Sequence, residues 1–455
     1  MSSLVKPDLS GVALLCDLNR HNSQIRFPQH PFAGCVDDLL PGSCATADLL
    51  RRSALLWHDG RLDEGLRYAA TATDVKCEEN HDLCALAPLW HVGLLTKARK
   101  LEDGWRVLNS LGARKGDPEA QRTTATSHII RGELLFATGR VDDALTEVKA
   151  GLRIAERCGA RPLRPAGYVV MAHSALRRAD MRACAHLVDK LTGEALLGYF
   201  GQAAGAWVTA QVAEARNGVD SAAGLIAGIV TNPFVLRQLL VSEPAAASWL
   251  VRAAGMLGAH DLAKEAVAAA EVAATENPGL SVIRGAASHA AGLLESDPVK
   301  LCEAANLYPD QWCGASAKED MATLLAERRT ERDNTIRILE SALGAYTAVG
   351  ATRDASRVVN KLREFGVRRG AIRAAEREGD LPHGLTNTEF AVAELVSQGH
   401  TNNEVGRQLF ISRHTVACHL KKVYQKMSVA SRVELAASWK SMRPMLEGNW
   451  VTKPT

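Results

Sequence analysis

A short phrase returns along this chain at a nearly fixed interval, and that interval constrains the fold more than any other feature of the sequence. It reads Gly60-Arg-Leu-Asp-Glu-Gly-Leu66, then Arg99-Lys-Leu-Glu-Asp-Gly-Trp105, then Gly139-Arg-Val-Asp-Asp-Ala-Leu145. Looser copies open at Arg178, Gly218 and Gly258, so the starts at 60, 99, 139, 178, 218 and 258 lie 39 or 40 residues apart; one more, Gly350-Ala-Thr-Arg-Asp354, follows a longer gap. Between copies the apolar residues recur at helical spacing. Sustained period-two stretches rich in Val, Ile and Thr do not occur, so the chain reads as all-α. A helical hairpin of this size cannot bury its apolar face alone and stacks on its neighbours, which predicts a helical-hairpin solenoid. Each phrase is then the turn between paired helices. Glycine ends the first helix in a left-handed conformation, and Asp two or three positions later is expected to cap the second through its exposed amides.

The repeat resembles tetratricopeptide-like arrays, with a longer period than their usual ~34 residues. At 455 residues the chain exceeds one ordinary core and should divide into several units. Its 47% hydrophobic and 23% charged residues exclude a largely disordered chain or a membrane protein. The Met1 to Asp8 start lacks a basic segment followed by an apolar one, and a cytoplasmic location is expected. Ten cysteines are scattered without a CxxC pair, which predicts reduced, mostly buried thiols. Cys77, His81 and Cys84 have no fourth ligand in sight, so neither a metal nor another cofactor is expected. Trp57, Trp90, Trp105, Trp207, Trp249 and Trp312 read as core between hairpins, with some able to line a concave groove for a small-molecule or protein ligand.

Composition and breakers suggest five segments: a proline-bearing lead-in (1–45), the solenoid (46–365), a charged linker (366–384) with Arg368, Arg369, Arg373 and Arg377 that breaks at Pro382, a C-terminal unit (385–442) and a tail (443–455). In the C-terminal unit, Thr386 with Glu389 makes a capping box before Phe390, Val392, Leu395 and Val396, a first helix ending at Gly399. Thr401 or Asn402 caps a short second helix through Leu409, and Ile411 occupies the turn. Ser412 opens a third helix whose Val416, Leu420, Val423 and Met427 form one buried stripe. A last helix is expected over Ser431 to Met442. Two helices joined by a tight turn, the second presenting short and cationic side chains outward, suit a helix-turn-helix that reads the major groove. Leu381 to Thr455 carries nine Lys and Arg against five Asp and Glu, a local excess of 9 − 5 = +4 that predicts salt-sensitive binding of double-stranded DNA.

These residues resemble the LuxR-type helix-turn-helix, a four-helix module: LTxxE at 385–389, GHTNNEV at 399–405, LFIS at 409–412, TVxxH at 415–419 and YQKMSVASR at 424–432. The resemblance implies base-facing roles for Ala417, Cys418 and Lys421, of which Lys421 alone is a strong hydrogen-bond donor to guanine. It assigns phosphate contacts to Thr401, Asn402, Thr415, His419, Lys422, Lys426 and Arg432. Gly406 stands where the family usually has alanine, at a cost of roughly 1 kcal/mol of helix stability. Residues from about 290 to 370 resemble the helical segment that precedes the module in large actinobacterial LuxR-type regulators. Those often begin with an ATPase, whereas this chain has no GxxxxGK[ST] phosphate cradle.

The expectation is therefore a non-enzymatic transcriptional regulator, by resemblance one serving a biosynthetic or metabolic gene cluster. Its candidate partners are DNA, a second copy of itself, RNA polymerase, and a ligand or protein held by the solenoid. The competing reading is an interaction scaffold whose C-terminal module does not read DNA. No nucleophile elbow, zinc helix or usefully spaced carboxylate pair favours an enzyme.

Overall fold

The computed structural model describes residues 44–75, 82–111, 118–196, 203–328, 331–367, 382–385, 387–409 and 412–439, and every regular element among them is helical. The expected lead-in, the tail, most of the linker, and the Cys77, His81 and Cys84 grouping lie outside the described residues or have side chains that do. So do Thr386 of the expected capping box and Ile411 of the turn.

The array is a run of antiparallel helix pairs. The first is α1 (Ala45–His58) with α2 (Leu62–Asp74), then α3 (Asp82–Lys97) with α4 (Leu101–Ser110), α5 (Pro118–Ala137) with α6 (Val141–Arg157), and α7 (Arg164–Arg177) with α8 (Met181–Leu196). It continues through α9 (Ala203–Asn217), α10 (Ala223–Val230), α11 (Pro233–Ser242), α12 (Ala245–Met256) and α13 (His260–Glu276). The last members are α14 (Ser281–Glu295), α15 (Pro298–Leu307), α16 (Gln311–Glu327), α17 (Arg332–Ala348) and α18 (Thr352–Glu364).

The repeated phrase is the turn in these hairpins, built the same way almost every time. Gly60, Gly139, Gly258 and Gly350 have φ between +66° and +83°, and Arg99 and Ala179 adopt the same region at 56° and 58°. The following amide then donates to the carbonyl five residues back: Arg61 to Leu56, Lys100 to Leu95, Arg140 to Leu135, Asp180 to Ala175, Ala259 to Ala254 and Ala351 to Tyr346, at 2.8–2.9 Å. This is the Schellman closure that satisfies the carbonyls a helix end leaves open.

The aspartates do not behave as expected. Arg61, Lys100, Arg140, Ala259 and Ala351 are the N-caps, none with a side-chain cap bond. Asp63, Asp103, Asp142, Asp261 and Asp354 fall two or three residues later, inside the first turn, because the helix restarts directly after the left-handed residue. There a carboxylate is stabilised by the positive end of the helix dipole. Its oxygens are used sideways: Asp142 accepts from Arg178 of the next hairpin at 2.7 Å, and Asp103 from Arg106 at 2.8 Å. Asp180 alone among these copies caps its helix, accepting from Ala183 N–H at 3.0 Å. Inside the long gap one more turn sits at Ser296 (φ 54°), where Asp297 N–H bonds Gly292 O at 2.8 Å and the Asp297 side chain caps α15. A serine in the left-handed position hid it, although Asp297 followed by Pro298 is a helix-start signal.

The array closes on itself. Asn277, fully buried at the end of α13, donates to Gly60 O at 2.7 Å and accepts from Asp63 N–H at 2.9 Å. Arg237 on α11 reaches Asp59 O at 3.3 Å. On the other flank, a Cβ on Gly139 would come within 2.8 Å of Val349, and Thr352 donates to Arg177 O at 3.4 Å. Turns more than a hundred residues apart thus pack together, and the winding surrounds a polar interior.

Of the expected tryptophans, Trp57, Trp90 and Trp249 are core and Trp105 is half-buried, while Trp207 and Trp312 border that interior. The thiols depart from expectation: of the six described cysteines, all free, Cys184 and Cys313 are buried, Cys44 and Cys158 half-buried, and Cys302 and Cys418 exposed. Among the described residues no single helix is long and apolar enough to cross a membrane, and no group of three His, Cys, Asp or Glu side chains is placed to hold a metal ion.

Candidate nucleic-acid interface

The C-terminal unit has its own core. Helix α19 (Asn387–Ser397), α20 (Asn402–Leu409), α21 (Arg413–Met427) and a last helix over 432–439 pack around Phe390, Val392, Leu395, Val396, Val405 and Leu409. The stripe of Val416, Leu420, Val423 and Met427 is buried against them, none more than 6% exposed. Leu435 and Trp439 of the last helix complete this core, with the Trp439 ring 4.8 Å from Phe390. The unit abuts the array where Arg182 of α8 stacks over Phe390 at 5.0 Å.

Local chemistry fixes each helix start. Thr401 and Glu404 form a capping box for α20: Glu404 N–H donates to Thr401 Oγ1 at 3.3 Å, and Thr401 N–H donates back to Glu404 Oε2 at 2.6 Å. The sequence pattern T-x-x-E was there to be read at 401–404. Ser412 Oγ accepts from Thr415 N–H at 3.0 Å and opens α21, which ends at Ser428 with φ 55°. Gly399, at φ +97°, ends the first helix of the unit.

With its apolar stripe turned inward, α21 shows Ala417, Cys418, Lys421 and Lys422 to solvent. The two lysines make no ion pair with a described residue. Thr401 is exposed, while Asn402, Thr415 and His419 are half-buried.

Two cations assigned to phosphates are engaged inside the unit instead. Lys426 Nζ donates to Glu389 Oε2 at 2.7 Å and to Gly384 O at 2.8 Å, tying the end of α21 to the start of α19. Glu389 is 3% exposed, so its carboxylate holds the lysine where a duplex would otherwise compete for it. Arg432 donates to His400 O and to Asn402 Oδ1, clamping the last helix onto the turn before α20. Each cation sits where helix ends meet, Lys426 between α21 and α19 and Arg432 between the last helix and the α19–α20 turn.

One exposed cation escaped the sequence reading. Arg413 is the first residue of α21 and has no partner among the described residues. A cation there opposes the helix dipole. That local misfit was the available signal, since the N-terminal residues of a groove-reading helix are the ones that approach DNA.

The family model described as bacterial regulatory proteins, luxR family, matches residues 383–438. The transcriptional regulatory protein LiaR of Bacillus subtilis is 34% identical over 83 residues, 18% of this chain and 34% of its own length. An HTH-type transcriptional regulator of Mycobacterium bovis is 49% identical over 51 residues, 11% of this chain and 6% of its own. The chain thus spans a small part of the curated relatives it matches. Across most of its length it aligns with the crystal structure of the P58(IPK) TPR domain at 13% identity and a TM-score of 0.20, covering 83% of this chain and 99% of that one. The solenoid architecture rests on the hairpins themselves.

Proposed function

We propose that this chain, which ends in a LuxR-family helix-turn-helix domain, is a sequence-specific DNA-binding transcriptional regulator. The carrying observation is the split of α21 into a buried stripe and an exposed face of Ala417, Cys418 and Lys421. Laid in the major groove, that face offers one strong hydrogen-bond donor, Lys421, and two small side chains suited to thymine methyl contact. Specificity therefore leans partly on DNA shape. Thr401, Lys422 and Arg413 are in position to hold phosphates at the groove edges, with Thr415, His419 and Asn402 nearby, and Lys426 and Arg432 keep the helices in register.

The protein acts as a homodimer on a partly symmetric site, because a single module buries limited surface. The last helix supports this: its Val433 is 79% exposed. The array senses a signal or holds a partner, and the regulated genes are biosynthetic or metabolic.

Selection of genomic fragments by the full-length chain, followed by titration against salt, tests the reading. A defined operator should emerge, with affinity falling steeply as salt rises. Failure to enrich any fragment at low salt would make the protein an interaction scaffold.

A further inference from the structure

Winding of the array brings the ends of α3, α5 and α7, the middle of α9 and the starts of α12, α16 and α18 around one cavity of about 80 Å³. At roughly 10–15 Å³ per water this holds some five to eight waters, or a ligand of about as many non-hydrogen atoms. Much of the charge in its wall is paired within the wall. Lys97 Nζ lies 3.5 Å from both Glu133 and Glu243, and Arg99 bonds Asp310 at 3.0 Å.

Arg177 is different. Its guanidinium carbon sits 4.0 Å from the centre of the Phe136 ring and 4.9 Å from that of Trp312. Those rings attract its π face but accept none of its five N–H donors. No hydrogen bond or ion pair joins its side chain to a described residue. Burial pulls its pKa down, although Asp310 and Asp354 lie near enough to push it the other way. Across the same cavity Trp207, 3% exposed, has its Nε1–H buried without an acceptor. A half-buried cation with no hydrogen-bonded partner among the described residues and an orphaned buried donor thus line one small space.

We propose that this cavity is a binding site for a small organic monocarboxylate, its oxygens taken by the Arg177 fork and Trp207 Nε1–H and its carbon chain packed on Phe136 and Leu176. The planar guanidinium matches a carboxylate in bidentate fashion. The wall's four cations, Lys97, Arg99, Arg177 and Arg353, face four carboxylates, Glu133, Glu243, Asp310 and Asp354, so a ligand with a single negative charge adds the least repulsion while using the open donors of Arg177. A phosphate dianion would bring a second negative charge against Glu243 and Asp310, which are already in the wall. The site deepens the sensory role given to the array above and rests on that reading, but not on DNA recognition.

The test uses the full-length chain, with thermal unfolding and calorimetry in acetate, isovalerate and benzoate, and with inorganic phosphate and sodium chloride at matched ionic strength. At least one carboxylate should raise the unfolding midpoint and release heat with one-site stoichiometry, while phosphate and chloride do neither. Arg177→Gln should weaken that carboxylate roughly ten- to hundredfold. Trp207→Phe, which keeps the ring and removes the donor, should weaken it several-fold and covers the case in which the arginine variant fails to fold. Silence from all three carboxylates, a response to phosphate alone, or full affinity in Trp207→Phe overturns the proposal. Operator binding by the same preparations is scored separately, so a chain that grips DNA yet takes no carboxylate refutes the cavity and spares the regulator.

Discussion

Lys421 and His173 show how far a single side chain can be argued. Lys421 is the exposed cation at the centre of the α21 face, so Lys421→Ala should cost about 1–3 kcal/mol on the specific operator and distinctly less on random DNA. Equal losses on both, measured by anisotropy titration, would move it to the phosphate class. His173 is buried beside Trp207 and hydrogen-bonded to Gln211 at 3.2 Å, and burial pushes its pKa down to about 4. The unfolded chain binds that proton near pH 6.5 and the folded one does not, so folded-state stability falls as pH drops from 6.5 to 4. The loss from this residue is about 3 kcal/mol when complete. Urea midpoints at pH 4.5 and pH 7 should therefore differ less in His173→Gln than in the parent, and an unchanged difference would remove His173 from the acid sensitivity.

At the level of elements, the helix ends rather than the helix bodies decide which cations are left facing solvent. Lys426 belongs to the α19–α21 junction through Glu389, whereas Lys422, one turn earlier, is exposed and makes no ion pair with a described residue. Lys426→Met, which keeps most of the stem, should lower the melting temperature of the C-terminal unit and leave the salt dependence of DNA binding unchanged. Lys422→Ala should do the opposite and reduce the slope of log affinity against log salt by about 1. If Lys426→Met flattens the slope instead, the lysine leaves Glu389 on binding. The hairpin turns teach a related lesson. Glycine was visible in the sequence, but its partner signal was misjudged, because an Asp two or three residues on lands inside the new helix once the left-handed residue reverses the chain.

For the whole molecule, the closing contacts matter more than any one hairpin. Asn277 joins α13 to the α1–α2 turn by bonds at both ends of its amide, and its removal leaves the Gly60 carbonyl and the Asp63 amide without it. Asn277→Ala should cost on the order of 1–3 kcal/mol for each buried group left unmade. Hydrogen exchange should then rise in α1 and α2 before the rest of the array. Uniform exchange along the array would mean that neighbour stacking alone holds it.

Fold class and the two faces of α21 were legible in the residues because both are periodic: a 39- or 40-residue interval sets the hairpins, and a four-three-four apolar spacing sets the inner face of α21. The turn at Ser296 and the capping box at Thr401 were legible in principle through short-range cap chemistry. What no local pattern carried was the closure of the array and the cavity it makes. Gly60 meets Asn277 across 217 residues, and Arg177 meets Trp312 across 135. Such pairings depend on the accumulated rotation of many stacked hairpins, a quantity spread over every packing contact. The same holds for Lys426 and Arg432. Their charge was plain in the chain, but whether a cation reaches water or a buried carboxylate is decided only when helix ends distant in sequence come together.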